Sequence, residues 1–123
     1  MTNFVNMTQH AINIVNNNMT IPFVIEPSGE TIRLNEEWNV AKTEGASVSV
    51  RLNLENGGIF HLPVLVCKYT ASGELPEKVE GTIYIVSAMV AKAYPYREDF
   101  LIPAKTVRDE NGRIIGCEHL ARI

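Results

Sequence analysis

The chain has 123 residues, of which 46% are hydrophobic and 20% charged, and a formal net charge of −3; this is the make-up of one ordinary globular domain built on a single core. The acidic balance excludes broad, non-specific binding to nucleic acid, which needs a surplus of Lys and Arg, although a local basic pocket remains compatible with it. No run approaches the ~18 consecutive apolar residues of a membrane span, and Met1 to Val15 lacks the basic start and unbroken apolar core of a secretory leader, so cytoplasmic residence is expected.

Strand signals dominate the chain in order. Ala11 to Val15, Phe23 to Ile25 and Thr31 to Leu34 are short apolar, β-branched segments, separated by Asn16-Asn17-Asn18 and by Glu26-Pro27-Ser28-Gly29. The Pro-Ser-Gly-Glu stretch between apolar flanks reads as a hairpin turn. Glu36 to Lys42 holds the one tryptophan, Trp38, and reads as a further strand or an irregular crossing. From Val48 to Leu54 apolar and polar residues alternate strictly, the pattern of a half-buried strand. Glu55-Asn56-Gly57-Gly58 supplies a turn, because Asn and Gly tolerate positive φ. A second strand follows from Ile59 to Tyr69, and Pro63, lacking an N–H, places it at an edge or at a bulge. Thr70 to Glu80 has no period and reads as a surface loop.

The C-terminal third changes character. Thr82 to Val86 is β-branched and aromatic, a buried strand. Ser87 is a natural N-cap for a helix of about two turns through Ala93, ended by Pro95, which disfavours helical geometry at Tyr94. Thr106-Val107-Arg108 and Arg113-Ile114-Ile115 flank Asp109-Glu110-Asn111-Gly112, a second hairpin signal. The expected fold is therefore α+β, predominantly antiparallel β with the sheet curled toward a barrel or sandwich, one short helix near Ser87–Tyr94, and a single domain over residues 1–123.

Metal and nucleophile chemistry find little support. Cys67 and Cys117 are the two cysteines and His10, His61 and His119 the three histidines; no Cys-x-x-Cys or zinc spacing links them. His61 and Cys67 would share a face of one straight strand but stand about 20 Å apart on it, too far for a thiol–imidazole pair. Ile85-Val86-Ser87-Ala88-Met89 is not a Gly-x-Ser-x-Gly elbow. The glycines of a Rossmann fingerprint or P-loop are missing, so no cofactor is implied.

A phosphate-bearing small molecule fits the C-terminal residues better. Ser87 offers a hydroxyl at a strand-to-helix junction. Arg97, Arg108 and Arg113 carry forked donors suited to phosphate or carboxylate, Asp99 could orient one of them, and Tyr84, Tyr94 and Tyr96 could stack on a base or ring. His10, on a strand-like segment, is a further candidate contact. Each has a structural alternative: Ser87 as a cap only, Arg97 and Asp99 as an ion pair fixing the loop after Pro95, Arg108 and Arg113 as partners within their hairpin, Tyr84 as core, and His10 as an ordinary hydrogen-bonded side chain.

Three segments together resemble a group of small, largely uncharacterised bacteriophage and prophage proteins. They are Asn6-Met7-Thr8-Gln9-His10-Ala11-Ile12, with Gln9 where that group commonly has proline; Tyr84-Ile85-Val86-Ser87 with Val90-Ala91, Arg97 and Asp99; and Val107-Arg108-Asp109 with Gly112-Arg113-Ile114-Ile115-Gly116-Cys117. The resemblance covers both ends of the chain and little of Asn16 to Pro76. It implies a viral or mobile-element origin, and by analogy a host-defence inhibitor that sequesters a nucleotide-derived anionic signal. A homo-oligomer would complete the pocket, since a chain this small has little room for an enclosed one. The alternatives are a protein–protein inhibitor of a host protein or a virion accessory protein, and a small hydrolase of a cyclic-nucleotide-type signal. No membrane partner is expected.

Overall fold

A computed structural model of the chain describes residues 2–123. In chain order the elements are β1 (Asn3–Asn6), β2 (Ile12–Ile14), β3 (Phe23–Ile25), β4 (Leu34–Val40), β5 (Lys42–Thr43), β6 (Ala46–Ser47), β7 (Ser49–Asn53), β8 (Ile59–Pro63), β9 (Leu65–Ala71), β10 (Thr82–Ile85), helix α1 (Ala88–Ala93), β11 (Phe100–Arg108) and β12 (Ile114–Ala121). The fold is the β-rich α+β class that the alternation and turn signals imply, and among the described residues α1 is its one helix. The backbone divides into two compact units: the chain up to Leu34 together with Ala71–Ile123, and the inserted stretch Asn35–Thr70.

The larger unit carries a six-stranded sheet in the order β1-β10-β11-β12-β2-β3. β11 pairs antiparallel with β12, and β2 with β3, while β10 runs parallel to both β1 and β11 and β12 runs parallel to β2. A strand flanked on both sides needs apolar residues throughout, which is why Ile83-Tyr84-Ile85-Val86 is an unbroken apolar run. Parallel β10 and β11 require a crossover, and α1 provides it. A bridge from Asn6 to Pro27, just beyond β3, brings the two ends of the sheet together and nearly closes it.

The core lies between this sheet and α1. Val86, Val90, Ala91 and Phe100 are almost wholly buried there, with Met7 and Tyr84 beside them, while Ile85, also fully buried, lies outside this cluster because successive strand residues face opposite sides of the sheet; each large side chain so removed from water contributes roughly 2 kcal/mol. Phe100 meets Tyr84 edge to face at 6.0 Å between ring centroids. Ser87 caps α1 as its position after the strand predicts, its Oγ accepting from Val90 N at 3.3 Å. Gly116 sits where β12 closes on β2: a Cβ there would stand 2.6 Å from the Asn13 carbonyl oxygen, so any larger residue would force the strands apart.

The inserted unit holds three two-stranded ladders: β4 with β9, β5 with β6, and β7 with β8. They meet where Ala41 N donates to Val64 O (2.8 Å), Val64 N to Val48 O (2.9 Å) and Val48 N to Ala41 O (2.8 Å). The β7–β8 hairpin turns through Gly57 at φ 89°, closed by Leu54 N donating to Gly58 O at 2.8 Å, as Asn56-Gly57 requires.

Three expectations need correction. Thr31 to Leu34 is not a strand pairing with Phe23–Ile25: Thr31 to Arg33 are irregular, Leu34 opens β4, and β3 pairs instead with β2. The Pro27-Ser28-Gly29 stretch is a latch rather than a hairpin turn, because the Ser28 N–H and hydroxyl both donate to Asn6 O, at 2.9 and 2.8 Å. The long strand Ile59 to Tyr69 is two strands, broken at Val64 as the chain changes partners from β7 to β4.

Candidate functional site

The residue groups that stand out in the sequence turn out to be three different local devices. Asn6 is 1% exposed, at the end of β1. Its Nδ2 donates to His10 O (2.8 Å) and Ile25 O (3.0 Å), and its Oδ1 accepts from Thr8 N (2.9 Å) and Thr8 Oγ1 (2.6 Å). A buried carboxamide needs every donor and acceptor filled, and here the Asn-x-Thr-x-His spacing fills them while tying β1 to β3. His10 contributes its carbonyl to this clasp and leaves its imidazole exposed.

Arg97 and Asp99 form a buried, two-pronged ion pair. Arg97 Nε donates to Asp99 Oδ1 and Nη2 to Asp99 Oδ2, both at 2.8 Å, with side chains 13% and 6% exposed. Nη2 also donates to Pro76 O at 2.8 Å, and the guanidinium lies 4.2 Å over the Phe100 ring centroid. The hydrogen bonds from Arg97 hold the Asp99 carboxyl below its ordinary range against the opposing effect of burial, and those to Asp99 raise Arg97. Arg97 is thus neither exposed nor free for a ligand.

Arg108 and Arg113 belong to the β11–β12 hairpin. Arg108 Nη1 donates to Gly112 O at 2.7 Å, and Asp109 Oδ1 accepts from Asn111 N (2.9 Å) and Arg113 N (3.0 Å). Tyr84 is core, its hydroxyl donating to Glu77 O at 3.0 Å. The expected convergence of Arg97, Arg108 and Arg113 beside the start of α1 is therefore absent from the described chain: one guanidinium is spent on Asp99 and Pro76, and the other two stand at a turn.

Ser87 and His10 do come together. They line one cleft of about 350 Å³ with Met7, Thr31, Arg33, Val86 and Val90. Met7, Val86 and Val90 are buried and make an apolar floor, while Ser87, His10, Thr31 and Arg33 are exposed. Ser87 Oγ accepts from Val90 N, which leaves its O–H to donate outward. Arg33 is fixed through its backbone, where Ser72 N donates to Arg33 O at 2.9 Å, and among the described residues its guanidinium has no carboxylate partner. No Asp or Glu lines the cleft. An adjoining cleft of about 510 Å³ shares Met7, Thr31, Ile32 and Arg33 but adds Glu30 and Glu74.

Arg33 is the residue that the sequence reading missed. The signal was available: it is the first Lys or Arg of the chain, and no other occurs before Lys42. Its strand-like setting, Thr31-Ile32-Arg33-Leu34, hid it among alternating side chains.

Among the described residues no group of His, Cys, Asp and Glu is placed to hold a metal ion, and no helix is long and apolar enough to cross a membrane. Cys67 and Cys117 are free thiols, and burial raises the pKa of Cys117. No protein-family model, curated protein or solved structure matches the chain.

Proposed function

We propose that this chain binds a small anionic, nucleotide-like molecule in the cleft lined by His10, Arg33 and Ser87, as a phage-borne protein that sequesters a host signal. The observation that carries the reading is electrostatic. In a chain of net charge −3, this cleft presents a guanidinium, an imidazole and a hydroxyl, and no carboxylate. A guanidinium without a carboxylate partner has its forked donors available for a phosphate, and the apolar floor of Met7, Val86 and Val90 suits the flat face of a base. The volume of about 350 Å³ falls within the range of small-molecule sites. Binding is favoured over hydrolysis because the lining holds His10 with no carboxylate to orient or complement it as an acid–base pair.

The test is thermal stabilisation by adenosine and guanosine 5′-monophosphates and their 3′,5′-cyclic forms, followed by chromatography of the ligand released on denaturation. The expected result is a raised melting temperature with the nucleotide recovered intact. Arg33→Ala should abolish that rise while leaving the melting temperature of the unliganded protein unchanged, since Arg33 is exposed and unpaired. Absence of stabilisation by every nucleotide, or equal stabilisation of Arg33→Ala, would refute the reading; a chemically altered nucleotide would make the protein a hydrolase.

A further inference from the structure

The cleft that holds His10, Arg33 and Ser87 does not end at Arg33. A second cleft of about 510 Å³ continues from it, sharing Met7, Thr31, Ile32 and Arg33 and adding Glu30 and residues 71–76. Every lining residue of both clefts belongs to the larger unit. Each falls in the lower part of the ~300–1,000 Å³ range of small-molecule sites, room for one nucleoside apiece.

The walls of the second cleft are held in place although residues 30–33 and 72–76 have no regular secondary structure. Ser72 N donates to Arg33 O at 2.9 Å and ties the two walls together. Arg97 Nη2 donates to Pro76 O at 2.8 Å, so the buried Arg97–Asp99 pair pins the far end of residues 72–76. Glu30 N donates to Ser28 Oγ at 3.2 Å, and Ser28 is itself latched to Asn6 O. Ile32 and Leu75 pack against the core beside Met7, which gives this cleft an apolar floor as well. Walls fixed before a ligand arrives lose little freedom when it binds.

The two clefts differ in charge. The first has no carboxylate; the second has Glu30 and Glu74, both exposed. Neither is ion-paired with Arg33, although all three line it. An ionised carboxylate only accepts hydrogen bonds, so it favours a base edge made of N–H donors and rejects one that presents a lone pair. Guanine sets two N–H donors side by side, at N1 and N2, and this pair matches the two oxygens of a carboxylate as a guanidinium does. Adenine and cytosine place a ring-nitrogen acceptor beside the amino group, and uracil flanks its single N–H with two carbonyls.

We infer that the ligand is a dinucleotide that spans both clefts. One base lies over Met7, Val86 and Val90 in the first, Arg33 at the join takes the bridging phosphate, and a guanine in the second donates N1–H and N2–H to the Glu30 and Glu74 carboxylates. This names the ligand class of the nucleotide site proposed above and rests on that reading.

The experiment is calorimetric titration of the full chain with the dinucleoside monophosphates GpG and ApA and with the 3′,5′-cyclic monophosphates of guanosine and adenosine, all of which carry a single phosphodiester charge. GpG should bind about tenfold or more tighter than ApA and than the cyclic guanosine monophosphate. Glu30→Ala/Glu74→Ala should bring GpG to the affinity of ApA, its ApA binding reporting an intact fold, and Arg33→Ala should lose both. GpG binding no tighter than the cyclic monophosphates, or a GpG preference that survives the double substitution, overturns the dinucleotide assignment and leaves the nucleotide reading standing. If no nucleotide binds, both fall together.

Discussion

Removing Arg97 should damage the fold rather than a binding site. Arg97→Ala deletes paired 2.8 Å hydrogen bonds to Asp99, a further one to Pro76 O, and the stacking on Phe100. It strands a carboxylate that is 6% exposed. Breaking a buried pair from one side costs about 3–5 kcal/mol, because the surviving charge keeps its desolvation penalty without its partner; the residual exposure of the pair puts the expectation near the lower bound, about 3 kcal/mol. Against a total stability of roughly 5–15 kcal/mol that is a large loss. Asp99→Leu alone should cost a similar amount. The double variant Arg97→Met/Asp99→Leu should recover most of it, giving a coupling of about 2 kcal/mol or more. The assay is urea denaturation followed by far-UV circular dichroism, since Trp38 lies in the inserted unit and its fluorescence would report the wrong part of the chain. A stability of Arg97→Ala within about 0.5 kcal/mol of the parent would refute the reasoning and return Arg97 to the candidates for ligand contact.

Other consequences are open to direct measurement. The native Asp99 carboxyl is held below its ordinary value, so its contribution is fully present above the unfolded carboxylate pKa of about 4 and is lost as pH falls through the lower native value. Asp99→Asn should accordingly flatten the acid side of the stability–pH profile, and an unchanged acid limb would contradict the assignment. Asn6→Ala should destabilise by about 3 kcal/mol or more, because it unfastens β1 from β3 and leaves buried partners unsatisfied; a loss below about 1 kcal/mol would show that the clasp is dispensable. A bulky thiol reagent should modify half-buried Cys67 first, with Cys117, 2% exposed and of raised pKa, reacting only on unfolding; equal rates under native conditions would contradict its burial.

Local chemistry was legible in the sequence wherever neighbours in the chain complete one another. Ser87 before an Ala-rich run and the Asn56-Gly57 and Asn111-Gly112 turns each define their structure within a few residues, and each appears as expected; the alternation of Val50 and Leu52 with Arg51 and Asn53 gives its strand, but not the half-burial it implies, since β7 is exposed along its whole length. The apolar run Ile83 to Val86 likewise announces a strand buried on both flanks.

What the tertiary structure alone decided is which distant groups meet. Asn6 is an unremarkable polar residue until Ile25 O arrives from β3, and Arg97 looks available until Pro76 O and the Phe100 ring surround it. β11 is longer than its sequence suggests because Pro103 masks a strand whose pairing with Leu120 on β12 holds it extended. Arg33 reads as one polar position in a short strand, yet the chain leaves that stretch irregular and sets it beside His10 and Ser87. Such outcomes depend on long-range closure of the sheet, and the physical reason is simple: hydrogen-bonding capacity and charge are written in each residue, whereas whether they are spent inside the fold or left facing solvent depends on partners that only folding brings within 3 Å.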